Sequence, residues 1–100
     1  MTITKRQSEE ELVLEVEGRL DTTTAPQLET ELLSSFDGAK HVRLDLKNVT
    51  YLSSAALRIL LKGEKTAKAK DGTLTVANVP PSVLEIFDMT GFSSLLTIVK

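Results

Sequence analysis

The stretch from 49 to 61, VTYLSSAALRILL, decides the fold of this 100-residue chain. It opens with an apolar, strand-like run, and from Leu57 onward its apolar residues recur at the three- and four-residue spacing of an amphipathic helix. Ser53 and Ser54 stand between the two patterns. The stretch therefore predicts a strand that passes directly into a helix, with two hydroxyl groups at the junction.

Strands and helices alternate on both sides of this junction. Apolar residues recur at every second position in the segments that predict strands, and at helical spacing in those that predict helices. In chain order the patterns predict strands over 2–6 and 12–17, joined by a hairpin turn near 7–10 and ended by Gly18; a helix over 24–35, closed by Asp37-Gly38; a strand over 41–46, broken at Lys47-Asn48; a helix that begins at the serine pair and reaches about residue 69; a strand over 73–77; a helix over 81–89, stopped by Gly91; and a strand over 95–99. This order predicts an α/β sheet with short crossover helices, in one domain over residues 1–100.

Composition and charge narrow the classes of function. Hydrophobic residues make up 41% of the chain and charged residues 26%, and a formal net charge of −2 favours neither a nucleic-acid backbone nor an anionic membrane surface as partner. The absence of cysteine excludes disulfides, thiol nucleophiles and thiolate metal sites, and the single His41 cannot supply a metal cluster alone. No run approaches the ~20 apolar residues of a membrane span, and the N-terminal segment has no signal-peptide pattern. We expect a cytoplasmic protein with no metal or cofactor, no direct nucleic-acid binding and no membrane insertion.

The position of the two serines at a helix N-terminus suits them to phosphorylation and to contact with a partner protein. Unpaired N–H groups and the positive end of the helix dipole favour anions at a helix N-terminus, so a phosphate on either hydroxyl is tolerated locally. The small side chains of Ala55 and Ala56 allow another protein to approach the hydroxyls closely. The alternative is purely structural, with Ser53 or Ser54 serving only as the helix cap.

Patterns typical of enzymes are weak in this chain. There is no glycine-rich phosphate loop, no pair of histidines at metal-ligand spacing and no Gly-x-Ser-x-Gly elbow. His41 at a strand start is a candidate general base, but a structural role explains it better. A small hydrolase would need a base and oxyanion donors near Ser54 that the sequence does not offer. We therefore expect a binding protein and not an enzyme.

Three segments in chain order resemble the signature of the STAS domain family, and in particular of its anti-sigma factor antagonists. They are residues 18–26, GRLDTTTAP, residues 44–49, LDLKNV, and residues 51–61, YLSSAALRILL. The resemblance implies a single STAS domain of the α/β class, with a mixed β-sheet and helices packed mainly on one face. It also implies partner switching: the unphosphorylated protein binds an anti-sigma factor that is a serine protein kinase, a sigma factor is released, and phosphorylation by that kinase ends the binding. A serine phosphatase is the implied partner that reverses the modification.

The family motif also implies which residues take part. Aligned through Leu57, the phosphorylated serine falls on Ser54, with Ser53 as the alternate acceptor. Ser53 occupies the place of a common aspartate, and Ala56 that of a common glycine. The expected partner surface combines two turns with one helix face, and its residues are Asp21, Thr22, Thr23, Ser53, Ser54, Ala55, Ala56 and Arg58.

Alternatives stay open at this point. Asp21 fits a position near the kinase and equally well an ordinary helix start, and Lys62 and Lys65 fit a solvated helix face better than a contact. The second hypothesis for the whole chain is a non-phosphorylated STAS scaffold, a subunit of a regulatory or membrane-transport assembly that uses the same face for constant binding. The sequence also leaves open whether the chain is a monomer or a weak dimer.

Overall fold

The computed structural model describes residues 1–8 and 11–99, which form a five-stranded sheet with three α-helices. In chain order the elements are β1 (Thr2–Gln7), β2 (Glu11–Leu20), α1 (Ala25–Gly38), β3 (His41–Leu52), α2 (Ser54–Ala69), β4 (Thr73–Ala77), α3 (Pro81–Thr90), a 3₁₀ turn (Phe92–Ser94) and β5 (Ile98–Val99). β1 pairs antiparallel with β2, and β2 to β5 are parallel neighbours in chain order. The mixed sheet that the resemblance implied is therefore confirmed. Within the described residues no helix is long and apolar enough to cross a membrane.

One face of the sheet is buried, and all three helices pack on it. Leu14, Leu44 and Val76 are in register across the three central strands, and their side chains are fully buried. Helix residues such as Leu28 and Phe87 belong to the same core cluster. Each helix connects two neighbouring parallel strands, and the sheet grows toward the same edge with every connection. When all such connections are right-handed, their helices lie on the same side of the sheet. The helices therefore cover one face, as the resemblance implied.

β2 and β3 are both longer than their sequence patterns predict. The predicted strand end at Gly18 and the predicted break at Lys47-Asn48 are wrong, because the two strands stay paired as far as Leu20 and Leu52. Two shifts in register, next to Glu17 and Gly18, absorb the irregularity. Gly18 adopts φ +99°, a conformation that side chains other than glycine rarely allow. Pairing between the strands thus overrides local residues that interrupt the alternation.

α1 and β5 also differ in length from the predictions. α1 continues to Gly38, about one turn past the predicted end, and the Ala39 N–H then donates to the Ser35 carbonyl at 3.1 Å. β5 is reduced to Ile98–Val99, because residues Phe92–Ser94 form a 3₁₀ turn and the chain reaches the sheet only afterwards. The prediction of a strand from residue 95 is therefore wrong at its start.

The remaining elements agree with the sequence patterns. β1 and β2 form the predicted antiparallel pair, although residues 9 and 10 of the predicted hairpin turn lie outside the described residues. α2 begins within the serine pair and ends at Ala69, as predicted, and β4 has the predicted bounds. α3 runs one residue past its predicted end, to Thr90, and stops at Gly91 in a left-handed conformation with φ +80°.

Candidate functional site

The predicted site lies at the edge of the sheet where β2 and β3 end. Leu20 and Leu52 are the last paired residues of the two strands, and the Ser53 N–H donates to the Leu20 carbonyl at 2.8 Å. Parallel strands reach their carboxyl ends at the same sheet edge, so the turns that follow them meet there. The structure therefore brings the Asp21–Thr24 turn beside the Ser53-Ser54 turn, although the two are distant in sequence.

The two serines do different things at the start of α2. Ser53 is the N-cap: its backbone is extended, with φ −90° and ψ 170°, and its Oγ accepts a hydrogen bond from the Ala56 N–H at 3.3 Å. Ser54 is the first residue of the helix and is exposed, and no hydrogen bond engages its hydroxyl within residues 1–8 and 11–99. The capping alternative thus applies to Ser53, while Ser54 presents its hydroxyl to solvent.

We expect Ser53→Ala to lower the free energy of unfolding by about 1 kcal/mol, because the first turn of α2 loses its side-chain acceptor. Ser53→Asp should retain most of that stability, since aspartate is an equally good N-cap. The matched control is Ser54→Ala, which removes an exposed hydroxyl and should stay within about 0.5 kcal/mol of wild type. Urea unfolding followed by circular dichroism measures these differences. Equal losses in the two alanine variants would contradict the assignment of the cap to Ser53.

Asp21 organises the neighbouring turn. Its Oδ1 accepts hydrogen bonds from the N–H groups of Thr23 and Thr24 at 3.0 and 3.1 Å. The Thr24 side chain bonds back to the same turn. Its hydroxyl accepts a hydrogen bond from the Asp21 N–H at 2.9 Å and donates one to the Arg19 carbonyl at 2.9 Å. Asp21 therefore has a structural role in the turn before α1, although the N-cap of that helix is Thr24. The same arrangement holds the side chains of Thr22 and Thr23 at the surface.

These hydrogen bonds make the stability of the turn depend on pH. The bond from the Thr24 N–H, with a smaller contribution from the Thr23 N–H, lowers the pKa of the Asp21 carboxyl below its ordinary value of 3.8. A lowered pKa in the folded state means that the carboxylate contributes stability above pH 3.8, and that the contribution is lost as the pH falls through the folded-state pKa. Asp21→Asn keeps the Oδ1 acceptor and removes the charge. We expect this variant to melt below wild type at pH 7 and to converge on it in acid; a gap of constant size across a melting series from pH 7 to pH 2 would oppose this reading.

Arg19 and Tyr51 form an exposed pair beside the two turns. They are partners in the register of β2 and β3, and the Arg19 guanidinium lies 4.3 Å from the centroid of the Tyr51 ring. Arg19 Nε is also 3.7 Å from Asp21 Oδ2. Tyr51 keeps 40% of its surface exposed, as one of three exposed large hydrophobic side chains in the described residues, with Met89 and Leu95. Sequence reasoning assigned no role to this pair, since the parallel register that joins the two residues cannot be read from one sequence.

A groove of about 670 Å³ lies between α1 and α2 and opens next to the Ser54 turn. Its lining combines small or apolar side chains with polar or charged ones. The first set consists of Ala25, Pro26, Ala55, Ile59 and Leu61, and the second of Thr22, Glu29, Arg58, Lys62 and Lys65. Lys62 Nζ reaches across the two helices to Glu29 Oε2 at 3.1 Å.

The predicted surface residues fall into three groups. Asp21, Thr23, Ser53 and Ser54 lie in the two turns, and Thr22, Ala55 and Arg58 line the groove. Ala56 does not belong with them: it is fully buried in the core. The expectation that Ala56 faces a partner is therefore wrong, because the third residue of α2 points toward the sheet and only its neighbour stays on the surface.

Fold and site together define a small α/β domain that presents a solvent-facing serine and an apolar groove at one edge of its sheet. A family model described as Mlab, STAS domain, matches residues 3–98. A Bordetella bronchiseptica protein named anti-sigma factor antagonist BtrV is 35% identical over 88 residues, which cover 87% of this chain and 76% of that protein. The anti-sigma-B factor antagonist of Bacillus subtilis is 27% identical over 93 residues, covering 93% of this chain and 85% of the relative.

Solved structures agree with these sequence relatives at the level of the fold. The unphosphorylated form of the anti-sigma factor antagonist SpoIIAA, from Bacillus, matches with a TM-score of 0.82 at 16% identity, over 99% of this chain and 89% of that one. The chain therefore belongs to the STAS domain family, among the anti-sigma factor antagonists.

Proposed function

We propose that this chain is a phosphorylation-controlled antagonist of an anti-sigma factor. Its unphosphorylated form binds an anti-sigma factor that is also a serine kinase, which releases a sigma factor, and phosphorylation of Ser54 ends the binding. A serine phosphatase resets the protein. The proposal places this cycle in the cytoplasm, treats residues 1–100 as one domain, and gives the chain a binding role with no catalysis, no cofactor and no direct contact to nucleic acid.

The observation that carries the proposal is the difference between the hydrogen bonding of the Ser53 and Ser54 hydroxyls. The Ser53 hydroxyl is engaged as the N-cap of α2, whereas the Ser54 hydroxyl is exposed and has no hydrogen bond within the described residues. A kinase needs an accessible nucleophile, and transfer to Ser54 breaks no existing contact. Transfer to Ser53, the alternate acceptor, would remove the cap of the helix.

The helix N-terminus helps the modified protein to stay folded. Ser54 is the first residue of α2, where N–H groups without helical partners and the helix dipole favour negative charge. A phosphate there adds about −1.5 to −2 charges at pH 7. We therefore expect the modification to act on the partner interface and to leave the fold intact.

The same charge explains loss of binding. An interface that closes over a hydroxyl must desolvate the phosphate once it is present, and removing such a charge from water is strongly unfavourable. The proposed interface consists of the Asp21–Thr23 turn, the Ser53-Ser54 turn and the groove beside them, including Ala55 and Arg58. Each of these residues lies at the same sheet edge or on the adjoining face of α2.

The two departures from the family motif are compatible with this mechanism. Ser53 replaces a common aspartate, and both residue types are good N-caps, so the start of the helix is preserved. Ala56 replaces a common glycine inside α2, where alanine has the higher helix propensity and fits the core fully buried. Further support comes from SpoIIAA, which has been solved in both unphosphorylated and phosphorylated forms.

Mass spectrometry tests the proposed acceptor directly. The chain is incubated with ATP and a candidate anti-sigma kinase from the same organism, and intact mass is followed by peptide mapping across residues 51–58. We expect one added phosphate, located on Ser54, and none in Ser54→Ala. Modification of Thr22 or Thr23 would contradict the proposal, because it would move the switch to the other turn.

A second candidate function is a STAS scaffold that binds its partner constantly. The departures from the family motif favour it. Ser53 stands where phosphorylated members commonly have an aspartate, and Ala56 stands where they commonly have a glycine. Affinity purification of the tagged chain distinguishes the two. Co-purification with a transporter ATPase, together with an unchanged mass after kinase treatment, would favour the scaffold; co-purification with a serine kinase would favour the switch.

A further inference from the structure

The groove between α1 and α2 is positively charged along one wall. Arg58, Lys62 and Lys65 follow one another at helical spacing on the exposed side of α2 and all line the groove. Glu29 is the carboxylate of the groove lining, and it is already paired with Lys62 at 3.1 Å. Arg58 and Lys65 have no ion pair within residues 1–8 and 11–99. Two unpaired cations therefore flank a paired one.

The groove lining also contains apolar side chains from both helices. Pro26 of α1 is exposed, and Ile59 and Leu61 of α2 are only partly buried. Partly buried aliphatic side chains at an open groove gain stability when a partner covers them, by roughly 25 cal/mol for each Å² of apolar surface removed from water. The groove thus combines an apolar depression with unpaired positive charge at both ends of one wall.

We propose that this groove receives an acidic amphipathic segment of the partner. One or two large apolar side chains of the segment cover Pro26 and Ile59, while two carboxylates pair with Arg58 and Lys65. The two cations are seven residues apart on α2, a separation of about 10 Å along the helix axis. A complementary segment carries its carboxylates seven residues apart if it is helical, with leucine-like residues between them. The inference deepens the proposed function and rests on it for the identity of the partner as an anti-sigma factor.

The position of Ser54 links this groove to the phosphate. Ser54 and Arg58 are four residues apart on α2, so their side chains lie on the same face one turn from each other. A phosphate on Ser54 is within reach of the Arg58 guanidinium, which binds phosphate well through its planar set of donors. Phosphorylation then withdraws Arg58 from the partner's carboxylate as well as adding repulsion, and this gives the switch two effects at one site.

A peptide titration tests the groove without any anti-sigma factor. The probe is a synthetic helical peptide with two glutamates seven residues apart and leucines between them, and its counterpart carries lysines in place of the glutamates. We expect the glutamate peptide, followed by amide chemical shifts of the labelled full chain, to perturb residues of α1 and α2 around the groove and to bind at least tenfold more tightly than the lysine peptide. Equal effects of the two peptides, shifts confined to other surfaces, or no shifts at all would overturn the proposal.

Charge reversal supplies the matched variants. Arg58→Glu with Lys65→Glu should reduce binding of the glutamate peptide at least tenfold, whereas Lys47→Glu with Lys68→Glu changes the net charge equally at exposed positions outside the groove and should leave it unchanged. Melting curves establish that each variant is folded, and Arg58→Gln with Lys65→Gln provides a milder version of the first change. Equal losses in the groove pair and the control pair would mean that only net charge matters, which contradicts a specific site.

The same variants separate this inference from the proposed function. If an anti-sigma kinase binds wild type and the Arg58→Glu, Lys65→Glu variant equally well, but not Ser54→Asp, the switch stands and the groove assignment fails. If the glutamate peptide occupies the groove while no anti-sigma factor binds the chain, the groove stands and the proposed partner is wrong.

Discussion

Ser54→Asp is expected to weaken binding to the anti-sigma factor by about 100-fold, equivalent to about 2.8 kcal/mol. The physical reason is a negative charge placed where the interface closes over an exposed hydroxyl, because that charge must leave water, repels the partner's carboxylates and competes with them for Arg58. Ser54→Ala should bind like the unphosphorylated wild type and should no longer respond to kinase and ATP. Isothermal titration calorimetry with the purified anti-sigma factor, at one fixed salt concentration, measures both affinities.

The control for charge alone is Ser34→Asp, an exposed serine in the second half of α1, away from the sheet edge that carries Ser54. We expect this variant to bind as wild type does. Wild-type affinity in both Ser54→Asp and Ser54→Ala would remove Ser54 from the interface and with it the proposed switch. A loss in Ser34→Asp as large as that in Ser54→Asp would instead show that total charge, and not position, governs binding.

The largest effect on stability is expected for Gly72→Ala. A Cβ atom at this position would lie 2.1 Å from the backbone oxygen of Lys40, and a main-chain atom cannot move aside as a flexible side chain does. The approach is part of the start of β4, where the Thr73 N–H donates to the same Lys40 oxygen at 2.8 Å and the Gly72 N–H donates to the Ala67 oxygen at 2.8 Å. We expect a loss of about 2–4 kcal/mol in the free energy of unfolding, measured by urea denaturation.

Gly38→Ala is the matched control for that change. An added Cβ at Gly38 meets no atom within 4 Å, and this residue ends α1 without a positive φ. Alanine there should be neutral or stabilise the protein by up to about 1 kcal/mol, since it has the better helix propensity and reduces the freedom of the unfolded chain. A Gly72→Ala variant as stable as Gly38→Ala would mean that the turn before β4 can relax away from Lys40, against the close approach described above.

Stability measurements on the serine variants show whether a loss of binding comes from a less stable fold or from the interface itself. Ser53→Ala alters the cap of α2 and is expected to reduce stability modestly, whereas Ser54→Ala should not. A binding defect in Ser53→Ala that follows its melting temperature reflects loss of the cap. A binding defect in Ser54→Asp at unchanged melting temperature reflects the interface.

Much of the fold was determined by the sequence because its information is local. Leu12 and Leu14 follow the period-two alternation of a strand, and the apolar residues from Leu57 onward follow helical spacing. Each pattern indicates which side of its element is buried in a packed core. The strand-to-helix junction at 52–54 was predictable for the same reason, as was the position of the serine pair at the start of α2.

Tertiary structure decided what depends on neighbours from elsewhere in the chain. β2 and β3 run past Gly18 and Lys47-Asn48 because each strand pairs with the other and two shifts in register absorb the mismatch. Ala56 is buried because α2 packs directly on the sheet, and Arg19 meets Tyr51 because a parallel register brings two strand ends together. No local pattern contains these relations.

The serine pair shows most clearly what local sequence determined and what tertiary structure decided. Local sequence placed two hydroxyls at a helix N-terminus, where either one is able to cap. Only the three-dimensional path of the chain, with the Ser53 N–H held by the Leu20 carbonyl, set Ser53 as the cap and turned Ser54 outward beside the groove. The residue types came from the sequence, and the difference between them came from a backbone hydrogen bond to another strand.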